Sequence, residues 1–424
     1  MNTNGVMPLT ARWRVFYGWW VFLSSALVMM VGFALSAYAL PVFYPELVNT
    51  FHWPRVSVAF GGSLKTLLVG LVAPINGWII DKKGTRAILL AGVITLGIAY
   101  PFLSGINSLW QYYLICIFLG LGGSWTHHVP NQMLVANWFV KRRGLMIGTL
   151  ATLAGFGNTL IPLVSAVLIK NVGWRQALLF LPVLLIAPLL AIIFIVKNRP
   201  EDMGMHPDGA LESAQVVPQL HRFSSHRVEG GLDGTIFRTK GFWLLAGIFL
   251  FSAWAQFSIW QHLVLFARDK GFTPTVAASL LSMFLAGSTV GRFLGGPLCD
   301  KISADYTALM AIVITGISLA ALVAAQSSLI IYASVFCFGL SEGTTVTSRP
   351  LLIFQHYGAA GVGKLYGGAT AMMTTGAFVG PIISGYIHDK TGSYQLAFLI
   401  ALFLVCICSG FIVLLKRDKI PAPA

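Results

Sequence analysis

Twelve apolar runs alternate with short polar clusters along this chain. They cover approximately 16–42, 55–80, 86–106, 110–136, 143–169, 174–196, 240–267, 274–299, 305–325, 328–354, 362–387 and 393–415. Each supplies the roughly 20 residues an α-helix needs to cross a bilayer. The runs are apolar on all sides, so they predict helices in lipid without saying which face turns inward. One polar cluster punctuates them with a distinctive turn, Gly77-Trp78-Ile79-Ile80-Asp81-Lys82-Lys83-Gly84-Thr85-Arg86, and it returns as Gly296-Pro297-Leu298-Cys299-Asp300-Lys301. The offset is 300 − 81 = 219, and the pairs Gly144/Gly363, Gly148/Gly367, Gly157/Gly376, Pro162/Pro381 and Gly173/Gly392 keep that register. Residues chosen for backbone geometry thus recur in step, as expected of two copies of one six-helix unit in parallel order. The predicted fold is an all-α integral membrane protein of 12 transmembrane helices in two pseudo-symmetric bundles. Residues 1–196 and 240–424 form the bundles; 197–239, rich in Pro, Gly, Ser and His, form the linker.

Composition removes the soluble alternatives. The chain is 56% hydrophobic and 10% charged, too little charge to cover a water-soluble surface of this size. Its net charge of 28 − 14 = +14 does not mark a nucleic-acid binder, because the cations sit at alternate connections. Arg12/Arg14, Lys82/Lys83/Arg86, Lys141/Arg142/Arg143, Lys197/Arg199, Arg238/Lys240, Lys301, Lys364 and Lys416/Arg417 fall on one side, and the 3–4 and 9–10 turns have none. The positive-inside rule then places both termini and the linker in the cytoplasm. Short termini and a modest linker point to a bacterial inner membrane. The first apolar run is too long for a cleavable signal and lacks a cleavage site. Cys116, Cys299, Cys337, Cys406 and Cys408 fit neither a disulfide framework nor a metal site, and read as packed thiols. No metal cluster, nucleophile–base pair or phosphate loop points to an enzyme, and no cofactor is expected.

The helix count, the duplication, the long middle loop and the Gly77, Asp81, Gly84, Arg86 signature resemble the major facilitator superfamily. The resemblance implies that this loop, with Asp300 in the second copy, gates the transporter rather than binding substrate. Within the superfamily, three features are similar to the monocarboxylate porters and their oxalate/formate antiporter relatives. These are Gly18-Trp19-Trp20, Trp138-Phe139-Val140-Lys141-Arg142-Arg143-Gly144, and Arg292 in segment 8. The segment 8 arginine of that branch binds the substrate carboxylate. Two departures qualify the match. Ser288 stands where the animal porters carry an aspartate, and Ala37 to Pro41 lack their lysine. Gly367 to Thr375 also lack the oxalate carrier's lysine, which argues against a dicarboxylate.

An ionisable group at mid-bilayer costs about 2.5–3.5 kcal/mol on insertion scales, so such groups usually face a cavity and serve function. Arg292 can grip a carboxylate through two parallel N–H bonds, with Ser288 one turn away on the same face. Lys65 offers a second cation in the other half. Glu342, the one acid deep in an apolar run, can carry a proton or pair with Arg349 seven residues on. His127 and His128 are further proton candidates; neighbours on a helix point about 100° apart, so one of them at most lines a cavity well. The expected function is secondary transport of a small organic monoanion, most simply a lactate-like monocarboxylate with a proton, by alternating access and as a monomer. The alternative is anion exchange without a proton; drug efflux ranks below both, since basic pockets suit cationic drugs poorly.

Overall fold

A computed structural model of the chain describes residues 16–139, 143–209, 239–325, 327–357 and 362–417. Twelve rods form: α1 (Gly18–Phe51), α2 (Arg55–Lys83), α3 (Thr85–Ser104), α4 (Leu109–Thr126, continued by His128–Trp138) and α5 (Arg143–Val172). There follow α6 (Trp174–Phe194), α7 (Lys240–Asp269), α8 (Pro274–Ile302), α9 (Ala304–Ala324), α10 (Ser328–Tyr357), α11 (Val362–Thr391) and α12 (Gln395–Arg417). Ten of them are long and apolar enough to cross a membrane by length and composition; α4 and α11 complete the two six-helix bundles. Large apolar side chains such as Phe102, Trp110, Phe194, Phe293 and Leu329 point outward, as lipid in place of water allows. Of the linker, only two short 3₁₀ turns at its start, Pro200–Met203 and Pro207–Gly209, lie among the described residues.

The 219-residue repeat is written in the backbone. Gly84 and Ser303 take φ of 78° and 79°, and Gly173 and Gly392 take 79° and 71°, each pair ending one helix and opening the next. Glycine reaches this region freely, but a serine there is strained.

Two rods depart from the expected outline. The first runs on to Phe51 instead of stopping near 42: Ala39 and Leu40 keep helical φ/ψ across Pro41, and the Ala37 carbonyl, for which Pro41 has no N–H, takes the Lys65 ammonium instead. It ends at His52, in left-handed conformation. The fourth is broken at His127, which is extended (φ −69°, ψ −177°). Pro130 explains the break: it has no N–H for the Thr126 carbonyl four residues back, and its ring clashes there. The Asn131 amide takes the orphaned oxygens instead, donating to Thr126 O and His127 O at 2.9 Å each.

The bundles meet along α2 against α11 and α5 against α8, with the far part of α1 against α7. Glycine permits the close approach: a Cβ on Gly385 of α11 would stand 2.8 Å from the Val56 Cα of α2. The face carrying the start of α1, the end of α12 and the α2–α3 and α8–α9 turns is the basic face; the opposite one is the far face.

Candidate functional site

The centre of the site is a crossing of α8 and α10. Gly287, Gly291 and Gly295 repeat every fourth residue on α8, as Gly339 and Gly343 do on α10. These small residues bring the backbones together; a Cβ on Gly343 would lie 2.8 Å from the Arg292 backbone nitrogen. Thr344 and Thr347 then reach the carbonyls of Gly291 and Arg292 at 3.3 and 3.4 Å. Held this close, Glu342 Oε2 accepts the Ser288 hydroxyl at 2.5 Å and lies 3.7 Å from Arg292 Nη2. The Glu342–Arg292 ion pair is therefore loose. Arg292 Nε is buried with no hydrogen-bond partner among the described residues. A guanidinium has five donors, so this one keeps capacity for an anion.

The other bundle contributes an aromatic wall. Tyr38 of α1 lies beside Arg292 and stacks toward Trp260 of α7, ring centres 5.3 Å apart. Phe33 is 4.8 Å from the His127 ring and 5.0 Å from that of His128. Both imidazoles reach Phe33, although adjacent helical residues diverge, because His127 has left helical conformation.

Lys65 does not join Arg292. Its ammonium is buried and donates to Ser36 O at 2.5 Å and Ala37 O at 3.1 Å. Arg349 does not pair with Glu342: it donates to Ser252 Oγ at 3.0 Å and Gln256 Oε1 at 2.9 Å. In the gating loop, the Arg86 side chain donates to Ile193 O of its own bundle at 2.6 Å and its backbone N–H to Asn198 Oδ1 at the start of the linker at 2.9 Å. Gly77 has open space where a side chain would start, Asp300 is exposed, and the Asp81 side chain lies outside the described residues, as do Lys141 and Arg142.

The far face is latched. Arg55 at the start of α2 grips Asp269 at the end of α7 with two parallel bonds of 2.6 and 2.5 Å. The Asp389 carboxylate of α11 accepts the backbone N–H groups of Arg55 and Val56 at 2.9 and 2.8 Å, capping α2 from the opposite bundle. Tyr394 accepts from Arg55 at 3.2 Å and meets His262 Nδ1 at 3.0 Å, while His262 Nε2 meets the Pro381 carbonyl at 2.8 Å. That carbonyl can only accept, so Nε2 carries the proton and Tyr394 donates to Nδ1. His388 adds a 3.1 Å contact to Asp269. Sequence reasoning misses this latch, because Arg55, Asp269 and Asp389 read as ordinary loop-end charges. It also misses the α8–α10 crossing, although the two glycine series advertise it.

The family model of the Major Facilitator Superfamily matches residues 21–273 and 250–424. Monocarboxylate transporter 13 of Bos taurus is 25% identical over 95% of this chain and 90% of its own length. Monocarboxylate transporter 2 of Mesocricetus auratus is 24% identical over 93% and 83%, respectively. Among solved structures, a bacterial homolog of the human lysosomal transporter Spinster, inward-facing and unoccupied, superposes with a TM-score of 0.75 at 15% identity. That superposition covers 95% of this chain and 98% of the other.

Proposed function

The chain belongs to the major facilitator superfamily and is a multi-pass membrane transporter related to the monocarboxylate transporters; from that premise we propose that it carries a small organic monoanion, lactate-like in size, together with a proton. The observation that supports this most is the loose Arg292–Glu342 pair beside an unpartnered Nε. Arg292 holds the substrate carboxylate in two parallel N–H bonds. Ser288 and Tyr38 border the same anion site.

Glu342 is the coupling group. Its carboxylate competes with the substrate for Arg292 while the site is empty. A proton on Glu342 removes that competition, so anion and proton enter together, and each leaves as the other does. His127 and His128 are second-rank proton carriers, since aromatic rings flank them and the positive charge of Arg292 acts on both. The basic face lies in the cytoplasm with both termini, in the cell's inner membrane, and one chain suffices for transport. Rocking of the bundles exposes the site to either side in turn. Among gating residues, Arg86 and Gly84 brace the α2–α3 turn; Gly77 and Asp81 near that turn and Asp300 near the α8–α9 turn are the remaining ones.

Uptake of labelled lactate into proteoliposomes, with and without an inward proton gradient, tests the reading. Gradient-stimulated uptake that Arg292→Ala abolishes is expected. Uptake appearing only after the vesicles are loaded with an organic anion, whatever the pH gradient, would replace symport with exchange.

A further inference from the structure

Lys65 places its side-chain nitrogen at membrane depth and donates it to two backbone oxygens. Those oxygens belong to a stretch where α1 is π-wound, Val28–Phe33 and Leu35–Ala39. Wide turns of this kind are rare and are seen mostly at functional sites, and Pro41 has no N–H for the Ser36 and Ala37 carbonyls five and four residues before it. Three successive carbonyls here are served from outside. Leu35 O takes the Tyr100 hydroxyl of α3 at 2.8 Å, and Ser36 O and Ala37 O take Lys65 of α2. The Ser36 hydroxyl in turn donates to Leu119 O of α4 at 3.0 Å. The very next residue is Tyr38, beside Arg292, and the π-wound turn also carries Phe33 to the two histidines.

We infer that Lys65 is a positioning residue for the anion site: by holding the wide turn of α1 open, it keeps Tyr38 and Phe33 aimed at Arg292 and the α4 break. This rests on the reading of Arg292 as the carboxylate ligand, and it assigns Lys65 a task through α1 instead of contact with substrate. Without the ammonium, Ser36 and Ala37 lose their donors and α1 relaxes toward ordinary α winding. Each residue moved from a wide to a normal turn changes phase, so Tyr38 rotates away from Arg292.

The test uses the full chain and the variants Lys65→Met and Lys65→Arg. Hydrogen exchange is measured over residues 28–44 without substrate, and lactate half-saturation is measured in proteoliposomes. Lys65→Met should accelerate exchange in that segment alone and raise half-saturation about tenfold, with maximal rate changed less. Lys65→Arg, which keeps donors, should recover most of both. Adding Tyr38→Phe to Lys65→Met should cost little more. Unchanged substrate-free exchange in Lys65→Met would overturn the inference, and so would full multiplicative loss in the double variant. If Lys65→Met does not fold, Lys65→Arg still decides: it must match the original chain in exchange while Tyr38→Phe alone raises half-saturation. Altered exchange together with normal transport by Arg292→Ala would remove the carboxylate reading and leave the role of Lys65 in shaping α1 intact.

Discussion

At the scale of single residues, the site is an economy of charge. Buried ions demand partners, and that requirement points to Arg292, Glu342, Arg349 and Lys65 among 424 residues. Which partner each finds is not legible in the same way. Glu342 and Arg349 are seven apart on one helix, yet Glu342 turns to α8 and Arg349 to α7. Spacing along a helix says nothing about which neighbour packs on which side; the glycine series on α8 and α10 carry that information. Lys65 is hidden further, since π winding leaves no mark in hydrophobic periodicity. The coupling role has a sharp consequence. Glu342→Gln keeps a hydrogen-bonding group at Ser288 but cannot change charge. Its uptake should no longer respond to a proton gradient, while exchange of lactate across the membrane persists. A gradient response equal to that of the unaltered chain would move the proton elsewhere, to His127 or His128 first.

At the scale of elements, turns and breaks follow from one or two residues each. Gly84 and Ser303 hold equivalent turns at φ near 80°, and only one of them is a glycine. Backbone strain of this kind costs about 1–3 kcal/mol, of which a glycine's extra freedom in the unfolded chain returns about 0.5–1. Ser303→Gly should therefore stabilise the protein by about 1 kcal/mol, read as a thermal midpoint about 2 °C higher in detergent. Gly84→Ala should do the reverse and lose more. Its φ is 78°, and the new Cβ would lie 2.5 Å from Asn198 Cγ, displacing the amide that holds Arg86. The twelve rods and the repeat are plain in the apolar runs. The extension of α1 to Phe51 is not, because Pro41 and Pro45 have no N–H to give and look like terminators until the Ala37 carbonyl that Pro41 leaves is followed to another donor, Lys65. The α4 break is readable in hindsight from Pro130, which strands the carbonyl that Asn131 then collects.

At the scale of the whole molecule, the far face is shut by contacts that cross between bundles. Arg55 joins α2 to α7 and to Tyr394 in the α11–α12 turn, and Asp389 joins α11 to α2. Arg55→Ala removes the bidentate grip on Asp269 and should shift the population toward states open on the far face. With the five native cysteines replaced, a cysteine at Gln261, buried at the α1–α7 seam beside Tyr44, reports this. Its labelling from the far side should quicken at least tenfold; an unchanged rate would show that the latch does not set the balance. The pairing at the centre has an electrical consequence as well. An empty carrier whose Arg292 is balanced by Glu342 presents no net charge at that site, and one loaded with an anion and a proton presents none either. Moving one elementary charge through a membrane potential is worth about 2.3 kcal/mol per 100 mV. A site that is neutral on both strokes escapes that cost, so the cycle should pass no current. The transmembrane voltage would then leave the direction of transport to concentration gradients alone.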